Sequence, residues 1–372
     1  MTTMKKMIPF AVAALLMCFA ACKNNGYKIS GSIEGSEDGD TVILAKVQDM
    51  FSVDTLQQTV IKNGKFSFEG VQDTAAIRYI IWQSGSDANL SIATQIAVEN
   101  ADINVKMDTE ENTIAEISGT PANEALTGLK RIEMEMNKQG DAIVAVFTDS
   151  TSTDEARAEA EKQLNALQKK MVATYQDFVT QNNTNIAGVT YLTQYASLMD
   201  DDVVMSCLQN IPQELENETI KELRGFYDVK SQTAVGKPFK DIKAATPEGE
   251  ELSVSQVAKS AKLLMIDFWA SWCGPCRAEM PHVKAAYSRF HEQGFEIIGV
   301  SLDQDATAWK DAIAELGMTW PQISDLKGWD CEGAGIYGVR SIPATVLIKD
   351  GIVVARDLRG DDLAKKVEEL LD

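Results

Sequence analysis

The chain has 372 residues, 45% of them hydrophobic, enough for two or three domains with buried cores and no need of disulfide staples. Its 35 basic and 55 acidic residues leave a net charge of −20. Such a surface repels a phosphate backbone, which excludes nucleic acid as a partner.

The opening "MTTMKKM" sets Lys5 and Lys6 ahead of an apolar run, "IPFAVAALLMCFAAC", that starts at Ile8 and ends in small residues before Cys22. This is the layout of an export signal, and the run is too short to span a bilayer as a permanent helix. With Ala20 and Ala21 directly before Cys22, the stretch resembles a bacterial lipoprotein signal, although Phe19 stands where Leu is usual. The resemblance implies that residues 1–22 are the signal plus a lipidated Cys22, which becomes the new N-terminus and a membrane anchor. A plain cleaved signal is the alternative. Either way the mature protein works outside the cytoplasm, in a periplasm-facing cell envelope.

From Tyr27 to about Gly119 the chain reads as short alternating runs: "YKISGSI", "DTVILAKV", "TVIKNGKFSFEG", "AIRYIIWQ", "SIATQIAV" and "DINVKM". Asn63-Gly64 is a hairpin signal between "TVIK" and "KFSF", because both turn positions need positive φ. Residues 27–119 are therefore expected to form an all-β module, a small sandwich. Its layout resembles the N-terminal β domain that precedes thioredoxin-like domains in Bacteroidetes lipoproteins.

Residues 120–232 shift to helical spacing in "NEALTGLKRIEMEMNK", "TDEARAEAEKQLNALQKKMVATYQDFVTQN" and "PQELENETIKELRGFY". Thr153 with Asp154 marks the start of the long middle helix. Met171, Tyr175 and Phe178 form a packing stripe on it. Asp200, Asp201 and Asp202 lack the spacing of a calcium loop and are expected to cap the next helix.

Residues 235–372 return to strands. "KLLMIDFWA" is a continuous apolar run holding one acid, Asp267, as a buried central strand would. A helix from Arg277 to His291, a strand "FEIIGVSLD", a helix "DATAWKDAIAELG", a hairpin turning at Asp350-Gly351 and the helix "DDLAKKVEELLD" follow. This order makes an α/β sandwich whose reactive loop lies at the carboxyl end of a central strand.

Four cysteines remain in the mature body: Cys207, Cys273, Cys276 and Cys331. They are too few and scattered for a disulfide scaffold, and Cys207 and Cys331 offer no second close pair for zinc. His282 and His291 are not ligands on one helical turn. No metal and no cofactor are expected. In an exported chain a lone C-x-x-C is better read as redox-active, with Cys207 and Cys331 as buried or helix-start thiols.

"DFWASWCGPC" resembles the active-site strand and loop of thioredoxin, and "RSIPATVLIKDG" resembles the family's cis-proline loop and hairpin. The likeness covers about Val235 to Asp372. The lead-in "GKPFKDI" and "TPEGEEL" are similar to thiol-disulfide oxidoreductases of the TlpA and ResA type; the P-x-x-x-T-x-x-C setting of peroxiredoxins is absent. The resemblance implies a thioredoxin-like C-terminal domain that reduces protein disulfides, with an oxidase or isomerase of the same fold as the alternative. Cys273, at the N-terminal end of a helix starting near Gly274, is the attacking sulfur, because backbone N–H groups and the helix dipole favour a thiolate there. Cys276 resolves the mixed disulfide. Asp267, six residues before Cys273, corresponds to thioredoxin's buried acid and exchanges a proton with Cys276. Pro343 after Ile342 is the expected cis proline, shaping an edge for a substrate strand. Trp272 flanks the site, and Gly274-Pro275 is the pairing of reducing members, near about −270 mV for thioredoxin itself. The implied partners are disulfide-containing envelope proteins and a membrane electron donor. A partner- or glycan-binding lipoprotein with an accessory redox domain is the rival reading; an aromatic groove on the β module would favour it.

Overall fold

The computed structural model describes residues 26–49, 52–87, 90–110 and 113–372, so the export signal and Cys22 lie outside the described residues. Among the described residues no helix is long and apolar enough to cross a membrane. The chain divides into two compact units, with the boundary between Glu216 and Asn217.

Eight strands open the first unit: β1 (Tyr27–Glu34), β2 (Thr41–Asp49), β3 (Ser52–Val60), β4 (Lys65–Gly70), β5 (Ala76–Gln83), β6 (Ser91–Val98), β7 (Asp102–Asp108) and β8 (Glu116–Ser118). They form two four-stranded sheets, ordered β4-β1-β7-β8 and β3-β2-β5-β6. Alternation decides which residues turn inward: on β7, Ile103, Val105 and Met107 are buried while Asp102, Asn104 and Lys106 are exposed. Ile29, Phe66 and Phe68 from one sheet meet Leu44, Ile80 and Trp82 from the other in a single core.

The Asn63-Gly64 signal is half right. Both residues adopt positive φ, 53° and 67°, and Lys62 and Lys65 exchange backbone hydrogen bonds of 3.0 and 3.1 Å across them. The pairing stops at that bridge, because β3 then pairs with β2 and β4 with β1. The expected hairpin is a corner between the two layers. A turn dipeptide dictates the reversal, whereas core burial selects the neighbouring strand.

The helices α1 (Pro121–Thr148), α2 (Asp154–Asn182), α3 (Ile186–Tyr195) and α4 (Asp201–Asn210) complete the first unit. α2 starts as expected, with Thr153 Oγ1 accepting the Ala156 N–H at 3.2 Å. Tyr175 and Phe178 are buried against Tyr191 of α3, which makes them packing residues. Asp200 does occupy the N-cap position of α4, but its carboxylate makes no capping bond and accepts from Gln176 Nε2 at 3.3 Å. Asp201 and Asp202 sit in the first turn, where the helix dipole favours acids. Cys207 is buried in α4. α3 is not legible in advance, since β-branched residues and Gly188 weaken its helical preference; a Cβ at Gly188 would run into the Asn182 carbonyl.

The second unit comprises α5 (Glu218–Ser231), β9 (Lys243–Ala245), β10 (Glu251–Ser253), α6 (Val254–Ala258), β11 (Leu263–Trp269), α7 (Gly274–Phe290), β12 (Phe295–Ser301), α8 (Ala306–Leu316), β13 (Gln322–Ser324), α9 (Glu332–Tyr337), β14 (Ala344–Lys349), β15 (Ile352–Arg356) and α10 (Gly360–Leu371). The helical stretch read from Pro212 is shorter than its composition suggests: α5 starts at Glu218, capped by Asn217 Oδ1 on the Ile220 N–H at 3.0 Å. Seven strands form one sheet, ordered β10-β9-β13-β12-β11-β14-β15. β11 is parallel to β12 and antiparallel to β14, and all seven of its residues are buried, which explains its continuous apolar run. β14 turns into β15 at Asp350-Gly351, as expected, with φ of 52° and 78°. The short β13, α6 and α9 carry too few residues to show a period.

Candidate active site

The carboxyl end of β11 delivers the chain into a tight turn, in which the Cys273 N–H donates to the Ala270 carbonyl at 3.1 Å. Cys273 is then the N-cap residue of α7, with Gly274 and Pro275 in the first turn; that turn has no use for the N–H that proline lacks. Cys273 and Cys276 are joined by a disulfide, their Cα atoms 5.3 Å apart. The Cys276 backbone N–H points at Cys273 Sγ, 3.1 Å away. A free helix N–H aimed at sulfur stabilises a thiolate there more than at any interior position. Both cysteines are almost fully buried, while Gly274 and Pro275 are exposed.

Strand pairing brings the remaining expected residues to this place. Asp267 on β11 lies opposite Thr345, and Phe268 opposite Ala344, so the loop ending in Ile342-Pro343 arrives beside the disulfide. The Ile342-Pro343 peptide is cis, and the Ile342 carbonyl oxygen lies 3.7 Å from Cys273 Sγ. Pro343 is buried and Ile342 half-buried. Asp267 is only 3% exposed. Burial pushes its carboxyl up to about 7, the negative charge of Glu279 adds to this, and the Arg359 guanidinium opposes it.

A cavity of about 10 Å³, room for about one water, is lined by Asp267, Cys276, Glu279, Pro343, Thr345 and Arg359, among others. Glu279 Oε1 accepts the Gly360 N–H at 2.6 Å, and Arg359 donates to the Pro343 carbonyl. An acid such as Glu279 on an amphipathic helix is ordinarily solvated. Its spacing of three from Cys276 was the available signal, since i and i+3 share a helix face. Arg359 carried no such signal.

Trp272 is exposed beside the disulfide and contacts the ring of Trp329. Cys331 caps the start of α9, buried, and burial pushes its thiol up. His282 and His291 are engaged separately, with Asp361 and with the Phe295 carbonyl. Among the described residues no group of three or more His, Cys, Asp or Glu is placed to hold a metal ion.

A model of the AhpC/TSA family matches residues 235–356, and a domain of unknown function, DUF4369, matches residues 27–126. The thiol-disulfide oxidoreductase ResA of Bacillus thuringiensis (strain Al Hakam) is 31% identical over 149 residues, which are 40% of this chain and 83% of that protein. ResA of Halalkalibacterium halodurans is 28% identical over 147 residues, 40% of this chain and 81% of the relative. Among solved structures, a thiol-disulfide oxidoreductase from Bacteroides fragilis is 32% identical, covers 36% of this chain and 99% of its own, and has a TM-score of 0.35. A redox-active-looking pair at the head of a helix, on an α/β sheet, is thus matched by named relatives over most of their length: the chain is an enzyme that belongs to the ResA-type thiol-disulfide oxidoreductases, through its C-terminal thioredoxin-like domain.

Proposed function

We propose that this enzyme reduces disulfides in other proteins of the cell envelope, anchored through lipid on Cys22 and recharged by a membrane electron donor. The observation that carries the reading is the position of Cys273 as N-cap of α7, with Cys276 behind it and Asp267 beyond Cys276 across a water-sized cavity. In the reduced form the Cys273 thiolate attacks a substrate disulfide. A mixed disulfide forms, and the displaced substrate sulfur takes up a proton and leaves as a thiol. Cys276 then passes its proton to Asp267, whose carboxyl near neutrality can accept it, and attacks Cys273 Sγ. The mixed disulfide breaks, and the second substrate sulfur leaves as a thiol with the proton returned by Asp267. Two electrons have moved to the substrate, and Cys273 and Cys276 are joined. Glu279, hydrogen-bonded to the Gly360 N–H, keeps negative charge near Asp267 and so keeps its proton affinity high. Pro343 and the Ile342 carbonyl border the sulfur that meets substrate.

The redox direction is tested by equilibrium titration of the Cys273/Cys276 couple in protein produced without residues 1–22, with Cys273→Ala as control. A potential near about −270 mV supports the reductase; one near about −120 mV would replace it with a disulfide-forming oxidase. In the first unit, a cleft of about 840 Å³ has one aromatic residue, Tyr79, among its lining side chains, so it does not favour the glycan-binding reading.

A further inference from the structure

Five tryptophans lie in the second unit. Trp269, Trp309 and Trp320 are buried, whereas Trp272 is 55% and Trp329 50% exposed. An indole offers about 150–250 Å² of largely apolar surface, so leaving two of them half in water costs stability. The two rings pack together, centroids 6.2 Å apart, into one aromatic wall. Trp272 is covalently next to Cys273, so this wall is continuous with the surface that any disulfide substrate must occupy to reach the sulfur.

The wall is also held rigidly. Trp272 stands in the turn after β11, where the Ser271 N–H donates to Asp303 Oδ2 at 3.0 Å and the Ser271 hydroxyl to Oδ1 at 2.5 Å. Trp329 stands in the turn between β13 and α9, whose Leu326 adopts a φ of 56°, a strained conformation for a branched side chain. Asp325 braces that turn by accepting the Lys327 and Glu332 N–H groups at 3.2 and 2.9 Å. One buried network joins the two turns. The Leu326 N–H donates to Ser324 Oγ, the Ser324 hydroxyl to the Ser301 carbonyl, and the Ser301 hydroxyl to Asp303, which also holds Ser271. Asp303 is 1% exposed and is fully used in this role.

We propose that Trp329 acts with Trp272 as a preformed aromatic clamp that selects substrate polypeptides with a large apolar or aromatic side chain next to the reactive cysteine. This rests on the dithiol–disulfide exchange reading of Cys273 and Cys276. Rigid aromatic side chains bind at low cost in conformational entropy, which suits brief contact with a substrate chain.

The test uses the full mature chain, reduced, and two synthetic peptides with one internal disulfide each, identical except for Trp or Gly before the attacked cysteine. The second-order rate of oxidation of the Cys273/Cys276 pair by each peptide is divided by the rate of dithiothreitol with the same peptide. Wild-type protein should favour the Trp peptide by about tenfold, Trp329→Ala by about twofold or less, and Trp329→Phe should recover most of the preference. Because each ratio comes from one protein preparation, a partly unfolded variant does not distort it. A Trp329→Ala ratio equal to wild type, or a wild-type ratio of one, overturns the clamp while leaving exchange intact. Failure of the wild type to react with either peptide removes the exchange reading and the clamp with it.

Discussion

Asp40 in the β-sandwich and Asp267 in the α/β unit are both buried, at 4% and 3% exposure, yet their carboxyls are driven in opposite directions. Burial works against ionisation of Asp40 as well. It is outweighed by three donors, the Gly85 N–H at 2.8 Å, the Glu37 N–H at 2.9 Å and the Trp82 indole at 3.0 Å, which hold the carboxyl below its ordinary range. Asp267 sits instead on a wholly apolar strand and faces the charge of Glu279, so it is raised to about 7. The first aspartate is a structural knot tying a loop to the sandwich. The second is an acid raised towards neutrality, as the proposed proton exchange with Cys276 requires. Burial alone does not separate the two roles; the supply of donors does.

The largest expected effect separates the units by chemistry. Cys276→Ala should abolish turnover and accumulate a covalent adduct between Cys273 and substrate, visible on a non-reducing gel. Cys207→Ala, in the first unit, should leave turnover unchanged; if both variants turn over normally, Cys276 is not the resolving sulfur.

The two aspartates then give stability effects of opposite sign. Between about pH 4 and pH 7 folded protein keeps a proton on Asp267 that the unfolded chain has lost, so this residue's contribution to stability falls as pH rises and is least favourable above about pH 7. Asp267→Asn should therefore stabilise the second unit by about 2–4 kcal/mol at pH 8 and by almost nothing at pH 4, as read from urea unfolding. The same variant should slow resolution of the mixed disulfide. Equal stability of variant and wild type at pH 8 would mean that burial does not raise the carboxyl above its ordinary range.

Asp40→Ala should destabilise the sandwich by about 2–3 kcal/mol at pH 7, because three donors lose their acceptor. Since the folded carboxyl is depressed, the stability it contributes is present above about pH 4 and is lost as pH falls below that, opposite to Asp267. A wild-type sandwich whose stability stays level from neutrality to strongly acid pH would break the comparison. The smallest effect belongs to an ordinary helix start. Thr153→Ala should cost about 1 kcal/mol, measured as a lower urea midpoint of the first unit, with no change in exchange rate.

Much of the site was legible before any fold was known. Cys273, Cys276 and Asp267 lie within ten residues of one another, and local spacing is enough to place a helix N-terminus after an apolar strand. Pro343 entered through its likeness to a known loop, and it reaches the disulfide only through the pairing of β11 with β14. Glu279 was not legible as part of the site, because an acid on an amphipathic helix is usually solvated; here α10 starts against it and draws it inward. The strands of the sandwich could be read from alternation, apart from β8 and the polar first part of β3, while the sheet to which each belongs could not.

The sequence by itself determined the α/β and β classes, most elements of regular structure, the close spacing of Cys273 and Cys276 and the place of Asp267 on a buried strand. These follow from periodicity and spacing over a few residues, which act wherever the chain happens to be. The tertiary structure alone decided that the Asn63-Gly64 turn is a corner, that Glu279 and Arg359 border the cavity behind Cys276, and that Trp329 meets Trp272 fifty-seven residues earlier. Those facts depend on which distant surfaces bury one another, and that choice is made by the core as a whole.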